Sequence, residues 1–280
     1  MERILIVNNR DFFNKYNIIN ITKSNEIPKK NCILFFGFYH RNLNNSHLRK
    51  LQLKKYISMI KEQKEYKYIL IIGKTDLLIK NQDFIQNIPD NIQRIYANNI
   101  NYKHPKIKFF PMGSDFRSID SFSKADINNK TRNILCYCNF SLTTHSDRRI
   151  IYKNLKNKKC INFENMGVFM NYSISRDTFF ERIGNSKFVI CPRGNAIDTF
   201  RFYDTIYAGA IPIIVKENYH DEEYFEEIPI LFLKNKNEFK KINKEFLEKK
   251  YEELKPKLKN FYKKFDFNYF MEKITSINNK

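Results

Sequence analysis

Cysteine is sparse and scattered, five residues in 280 with no Cys-x-x-Cys pair. That spacing offers neither a disulfide framework nor a zinc site, and a reducing compartment is the expectation. Long apolar runs are missing too. Met1-Glu2-Arg3 is followed only by Ile4 to Val7, too short for a signal-peptide core, and no run approaches the length of a membrane span. Absent as well are a compact Arg-rich tract, an RNP-like aromatic motif, the dinucleotide fingerprint GxGxxG and the phosphate loop GxxxxGK. These gaps argue against nucleic-acid recognition, a simple dehydrogenase and a P-loop NTPase.

Apolar residues make up 42% of the chain and aromatics 15%, ample for buried cores, and the length suits two domains of roughly 100 to 150 residues. Fifty Lys and Arg against 30 Asp and Glu leave a net charge of +20. Such a surplus fits nucleic acid, an anionic membrane surface or anionic substrates. Because Lys, Asn and Ile are enriched together, it reads first as a solvated face.

Apolar runs at Arg3–Val7, Cys32–Phe38, Tyr68–Ile72, Ile92–Ala97 and Ile107–Pro111 read as buried strands. A helix over His47–Lys61 rests on Leu48, Leu51, Ile57 and Ile60, and a weaker one covers Asp83–Ile88. Residues 1–120 therefore form one α/β unit, a polar stretch at 121–131 is the linker, and 132–280 form a second unit. In the second unit Asn133–Asn139 is a strand, and Ser146 or Asp147 can cap a helix running to Leu155. A strand at Lys159–Phe163, a helix at Arg176–Ile183 and a strand at Ile230–Leu233 are further expectations. The tail from Glu238 is helical in pattern, broken at Pro256.

The most informative stretch is Lys187–Val215. Phe188–Cys191 is a strand, Pro192 and Gly194 break it, and Asp198 or Thr199 can cap a helix that Gly209 ends before a strand at Ile211–Val215. This is a βαβ unit with parallel strands. Ligands in such folds sit beyond the carboxyl ends of strands. The residues standing there are His40, Lys74, Asp76, Asn98, Asn99 and Asp115 in the first half, and Ser141, Thr143, Thr144, His145, Arg193, Gly194, Asn195 and Lys216 in the second. Hydroxyls, amides and bases suit a sugar and a phosphate better than a hydride carrier. The helix start near Thr199 favours a diphosphate, Gly194 lets it approach the backbone, and Arg193 and Arg201 can clamp its oxygens. Asp204 can accept hydrogen bonds from a ribose, or be no more than an i,i+3 partner of Arg201.

Ser186–Asn195, Asp198–Asp204 and Ala208–Ile213 together resemble the donor-binding segment of exostosin-like glycosyltransferases: a strand ending in Cys-Pro-x-Gly, an Arg just inside the helix, an acidic residue three further on, and a Gly-x-Ile-Pro strand. Tyr137–Ser141 with Arg148 is similar to a second segment of short relatives. The resemblance implies a GT-B architecture, in which two Rossmann-like domains with parallel sheets face a central cleft, here with a helical C-terminal tail. It also implies transfer from a nucleotide-diphosphate sugar with inversion, no cofactor, no metal, and a glycan or lipid-linked acceptor. A UDP-sugar is the expected donor, polysaccharide biosynthesis the expected setting. Donor contacts fall to Arg193, Gly194, Asn195, Asp198, Thr199, Arg201, Asp204, Ser141, Thr144, Arg148 and Lys216.

The Ala-Gly-Ala-Ile-Pro-Ile run also resembles α1,3-fucosyltransferases, GT-B enzymes that would use GDP-fucose. Inversion needs a base near the acceptor hydroxyl, for which Asp115 and His40 are the candidates. His47, His104 and His220 read as surface residues. The expected location is the cytoplasm, with room for peripheral contact at the inner face of an anionic membrane and no nucleic-acid partner. Rival readings are a basic nucleic-acid-binding protein and a sugar-nucleotide binder without turnover.

Overall fold

The computed structural model describes residues 10–22, 24–37, 46–73, 76, 78–79, 87–114, 131–164, 174–221, 223–259 and 267–278. The expected strand at 3–7, the linker up to residue 130, and His40, Lys74 and Asp115 lie outside the described residues.

The first half is a parallel sheet of β1 (Ile18–Asn20), β2 (Cys32–Gly37), β3 (Tyr68–Gly73), β4 (Ile92–Ala97) and β5 (Ile107–Phe109), ordered β1-β2-β3-β4-β5. Every residue of β2 and β3 is buried, as expected for central strands of a parallel sheet covered on both faces. β1 had no signal of its own, because three residues show no period. Helix α1 (Arg10–Lys15) precedes it, and α2 (Ser46–Glu62) joins β2 to β3. The α2 inner stripe is Leu53, Tyr56, Ile57 and Ile60, whereas Leu51 is the exposed side of the helix, a shift of register within one apolar-rich helix.

The second half contains β6 (Ile134–Cys138), α3 (Ser146–Leu155), β7 (Ile161–Phe163), α4 (Arg176–Gly184), β8 (Ser186–Ile190), α5 (Phe200–Tyr207), β9 (Ile211–Val215) and β10 (Leu231–Leu233). All pairings are parallel and the order is β10-β9-β8-β6-β7. The chain leaves β6 towards β7 on one side, then returns to place β8 on the other. The gap between β6 and β8 is therefore the topological switch point, where loops diverge and ligands bind. The βαβ unit read from sequence is present as β8-α5-β9. Gly209, at φ 71°, closes α5 with its N–H on the Ile206 carbonyl, a left-handed position that glycine takes at least cost.

The tail is a 3₁₀ turn (Lys236–Lys241), α6 (Lys244–Leu254), a second 3₁₀ turn over Lys255–Lys259 that contains Pro256, and α7 (Phe267–Asn278). Helix α7 touches both halves, and on the second-half side the Phe270 ring meets Tyr224 edge-on with centroids 4.8 Å apart. Asn268 accepts hydrogen bonds from Lys15 at 2.8 Å and from the Tyr16 hydroxyl, and the Phe270 ring meets Phe110 edge-on. No helix among the described residues is long and apolar enough to cross a membrane.

One apolar cluster runs without interruption from the first sheet into the α5 side of the second, while a separate cluster fills the opposite face of the second sheet. At the junction Phe109 stacks on Tyr219 with centroids 4.9 Å apart and touches Phe225. Polar bonds fix the docking. Asn99 Oδ1, just past β4, accepts the N–H groups of Ile197 at 2.9 Å and Asp198 at 3.2 Å, and Asp198 accepts the Met112 N–H at 2.8 Å and the Tyr203 hydroxyl at 2.9 Å.

Asp198 is thus buried in the junction, and burial raises its pKa from the ordinary 3.8 to about 7 against the opposing effect of these hydrogen bonds. A carboxyl that holds its proton longer when folded adds stability that is complete below about pH 4 and lost as the pH climbs through 7. Urea unfolding should therefore show the wild type losing stability from pH 4 to 7 more steeply than Asp198→Asn. Parallel pH slopes for the two proteins would show that Asp198 titrates normally in the fold.

Candidate functional site

The sequence places short loops after β6 and β8, and both emerge at the switch point. Arg148, from the first turn of α3, ties them together. Its Nε donates to the Arg193 carbonyl at 2.7 Å, Nη1 to the Ser141 carbonyl at 3.1 Å and Nη2 to the Pro192 carbonyl at 3.3 Å, while the guanidinium lies 5.6 Å from the Phe140 ring centre. Burial, with Arg201 nearby, lowers its pKa to about 10, so it remains charged. Arg148 therefore shapes the loops from beneath, and its bonds run to the backbone. Gly194 sits against it. A Cβ there would stand 3.3 Å from Arg148 Nη2 and 3.4 Å from Thr144 Cγ2, so the close packing of the loop depends on glycine.

The loop after β8 opens onto a cavity of about 210 Å³ at the carboxyl ends of β8 and β9, lined by Arg193, Thr199, Asp147, Glu217, His220 and Lys236 among others. Thr199 is the N-cap of α5 in extended conformation, without a side-chain capping bond. The helix start therefore keeps its partial positive charge facing this region. Arg193 Nε and Arg201 Nη1 are buried atoms without a hydrogen-bond partner. Among the described residues no carboxylate forms an ion pair with Arg148, Arg193 or Arg201. Three guanidinium groups thus lie around one loop without an ion pair to a described carboxylate.

The remaining residues read from sequence fall in several places. Arg201 stands outside the cavity wall, its guanidinium 4.8 Å over the Phe179 ring. Asp204 is buried and is not the surface partner of Arg201; burial pushes the Cys191 thiol upward, and Asp204 lies close enough to add to that. Asp198 turns towards the first half, so the capping role offered for it passes to structure. Asn195 is exposed, and Ser141 pairs its hydroxyl with Thr143 at 3.0 Å. Lys216 is exposed, 5.9 Å over the Phe232 ring, and does not line the cavity.

At α3 the N-cap is His145 rather than Ser146 or Asp147. Its Nδ1 accepts the Asp147 N–H at 3.2 Å, so the ring presents Nε2–H, and burial together with Arg193 lowers its pKa. Both effects favour the neutral ring over the opposing pull of Asp147. His220 proves to be buried, with Nδ1 accepting the Glu217 N–H at 2.8 Å. Glu217, Asp147 and Lys236 were missed by sequence reading. Glu217 directly follows Lys216 at the end of β9, and the strand-end rule would have reached it one residue later. Lys236, which pairs with Asp147 across the cavity, comes from a distant 3₁₀ turn that no local pattern connects to the site.

Comparison with known proteins accords with this geometry. The model of the exostosin GT47 domain matches residues 74–223, more than half of the chain and all of the switch-point loops. A solved structure described as trehalose-6-phosphate from E. coli bound with UDP-2-fluoro glucose superposes with a TM-score of 0.51 at 9% identity, covering 89% of this chain and 73% of its own, a likeness of fold. A crystal structure of an alpha1,3-fucosyltransferase aligns over 89% of this chain and 78% of its own at 11% identity, with a TM-score of 0.47. Two all-parallel sheets with a site at the strand ends of the second are a GT-B architecture, and the chain belongs to the exostosin GT47 family of glycosyltransferases.

Proposed function

We propose that the protein transfers a sugar from a nucleoside-diphosphate sugar, UDP-linked in the first instance, to a hydroxyl of a glycan or lipid-linked acceptor, with inversion and without a metal. The observation that carries this reading is the buried, unpartnered Arg193 Nε in the cavity beside the open start of α5, with a second unpartnered guanidinium nitrogen on Arg201 just outside the cavity wall. A buried donor without an acceptor costs about 1–3 kcal/mol, and a diphosphate supplies the missing acceptors with charge.

As the glycosidic bond breaks, negative charge grows on the departing diphosphate. Fixed N–H groups and cations already aimed at that point stabilise it without reorganising. The base that takes the acceptor proton belongs on the first-half side, with Asp115 and His40 as the candidates. The fold neighbour solved with UDP-2-fluoro glucose makes uridine the first base to test. A cytoplasmic setting, peripheral to a membrane where the acceptor is lipid-linked, fits a chain whose described cysteines are unbridged thiols.

Thermal shift and calorimetry with UDP, GDP and their sugars give the direct test, since a true donor raises Tm with concentration over Kd. UDP should bind wild type, and Arg193→Ala and Arg201→Ala should each weaken it by roughly 10- to 100-fold while leaving the unliganded Tm nearly unchanged. Undiminished UDP affinity in both variants would remove the diphosphate assignment. Transfer should persist in EDTA.

Gly194→Ala should cost about 1–3 kcal/mol of stability by overpacking against Arg148, and should weaken UDP further than the stability loss accounts for. In a turnover assay Asp115→Asn should slow kcat by about 100-fold or more with donor binding intact. Wild-type kcat in that variant would transfer the role to His40.

A further inference from the structure

Glu217 stands out within the cavity. It is half-buried just past the end of β9, lines the cavity together with Arg193 and Thr199, and its backbone is pinned by the bond from its N–H to His220 Nδ1. The other lining charges are accounted for. Asp147 pairs with Lys236, and Asp198 is bonded to Met112 and Tyr203. The Glu217 carboxylate makes no ion pair and no side-chain hydrogen bond among the described residues, and burial raises its pKa despite the cation of Arg193 nearby. Half-buried carboxylates are seldom left without a donor, because desolvation without compensation is costly.

A carboxylate in this position repels phosphate, so the diphosphate held by Arg193 is not its partner. The group attached to that diphosphate is one bond away, and it carries hydroxyls. We infer that Glu217 accepts hydrogen bonds from the hydroxyls of the transferred sugar and so sets donor specificity, favouring an uncharged, hydroxyl-rich hexose over an acidic one. This rests on the proposed donor reading of the cavity. A hydroxyl donating to a carboxylate is among the stronger hydrogen bonds, and a site built to receive it rejects a ligand that lacks it far more strongly than an apolar pocket would. A uronic acid would bring a second carboxylate against Glu217 and be disfavoured.

The experiment compares free UDP with UDP-glucose, UDP-galactose, UDP-N-acetylglucosamine and UDP-glucuronate by calorimetry on wild type, Glu217→Gln and Glu217→Ala. The expected result is that UDP binds all three proteins within about twofold, the best neutral sugar nucleotide of wild type weakens about tenfold or more in Glu217→Ala and less in Glu217→Gln, and UDP-glucuronate gains relative to it in both variants. An equal loss for UDP and its sugars would make Glu217 a structural residue and overturn the inference. So would unchanged affinities, and so would a collapse of kcat with all affinities intact, which would make it a base. If wild type binds none of these ligands while remaining folded, the donor reading fails and this inference with it; normal UDP binding with indifference to Glu217 would defeat the inference alone.

Discussion

The site depends on one constraint: the loop of residues 191–199, irregular and largely buried, needs partners for the backbone carbonyls and N–H groups it withdraws from water. Arg148 meets the carbonyls of Pro192 and Arg193 from the second half. Asn99 meets the N–H groups of Ile197 and Asp198 from the first. Neither supply alone covers the loop. A buried backbone group without a partner costs as much as a lost hydrogen bond, so the loop has its shape only where both halves are present. That shape exposes Arg193 and Thr199 to the cavity and keeps Gly194 flat against Arg148.

Local charge at the site has a different origin from the overall charge of the chain. Most of the described Lys and Arg side chains are exposed, and surface pairs such as Lys241–Glu238 and Lys244–Glu248 contribute little in water. The three guanidinium groups around the loop after β8 differ in being partly or fully withdrawn from solvent without a direct ion pair to a described carboxylate. Screening by salt reaches them poorly. In the proposed donor site the local attraction for a dianion rests on Arg193 and Arg201 with Arg148 behind them, whereas the +20 net charge shapes only the long-range field through which such a ligand would approach.

Much of this was legible in the sequence because it is written locally. The β8-α5-β9 unit shows its breaks at Pro192 and Gly194, its stop at Gly209 and its apolar strands on either side, and the structure follows that pattern nearly residue for residue. Arg193 could be recognised from the same stretch. Roles that depend on distant chain were not legible. Arg148 looked like a ligand contact, and only the carbonyls of residues 45 positions away reveal it as the scaffold of the loop. Asp198 looked like a helix cap, because Asp before a helix usually is one; Met112, 86 residues away, claims its carboxylate instead. His220 carries no sequence sign of burial, since its neighbours Glu217, Asp221 and Glu223 are polar and the aromatic rings that enclose it come from Tyr219, Phe225 and Phe232. The first half was read least well at β1 because a three-residue strand has no period to detect.

The double support of the loop also bears on how the two halves cooperate. Asn99 and Met112 stand just beyond the carboxyl ends of β4 and β5, and both bond directly to the segment that opens α5. A shift of those strand ends would move Ile197 and Asp198 with them, and the N-terminus of α5 would follow. The apolar contact of Phe109 with Tyr219 resists such a shift, because separating stacked rings exposes area on both. The geometry of the cavity is consequently a property of the docked pair of sheets. In this chain the first half positions the backbone of the segment that opens α5, while the residues that line the cavity are carried by the second.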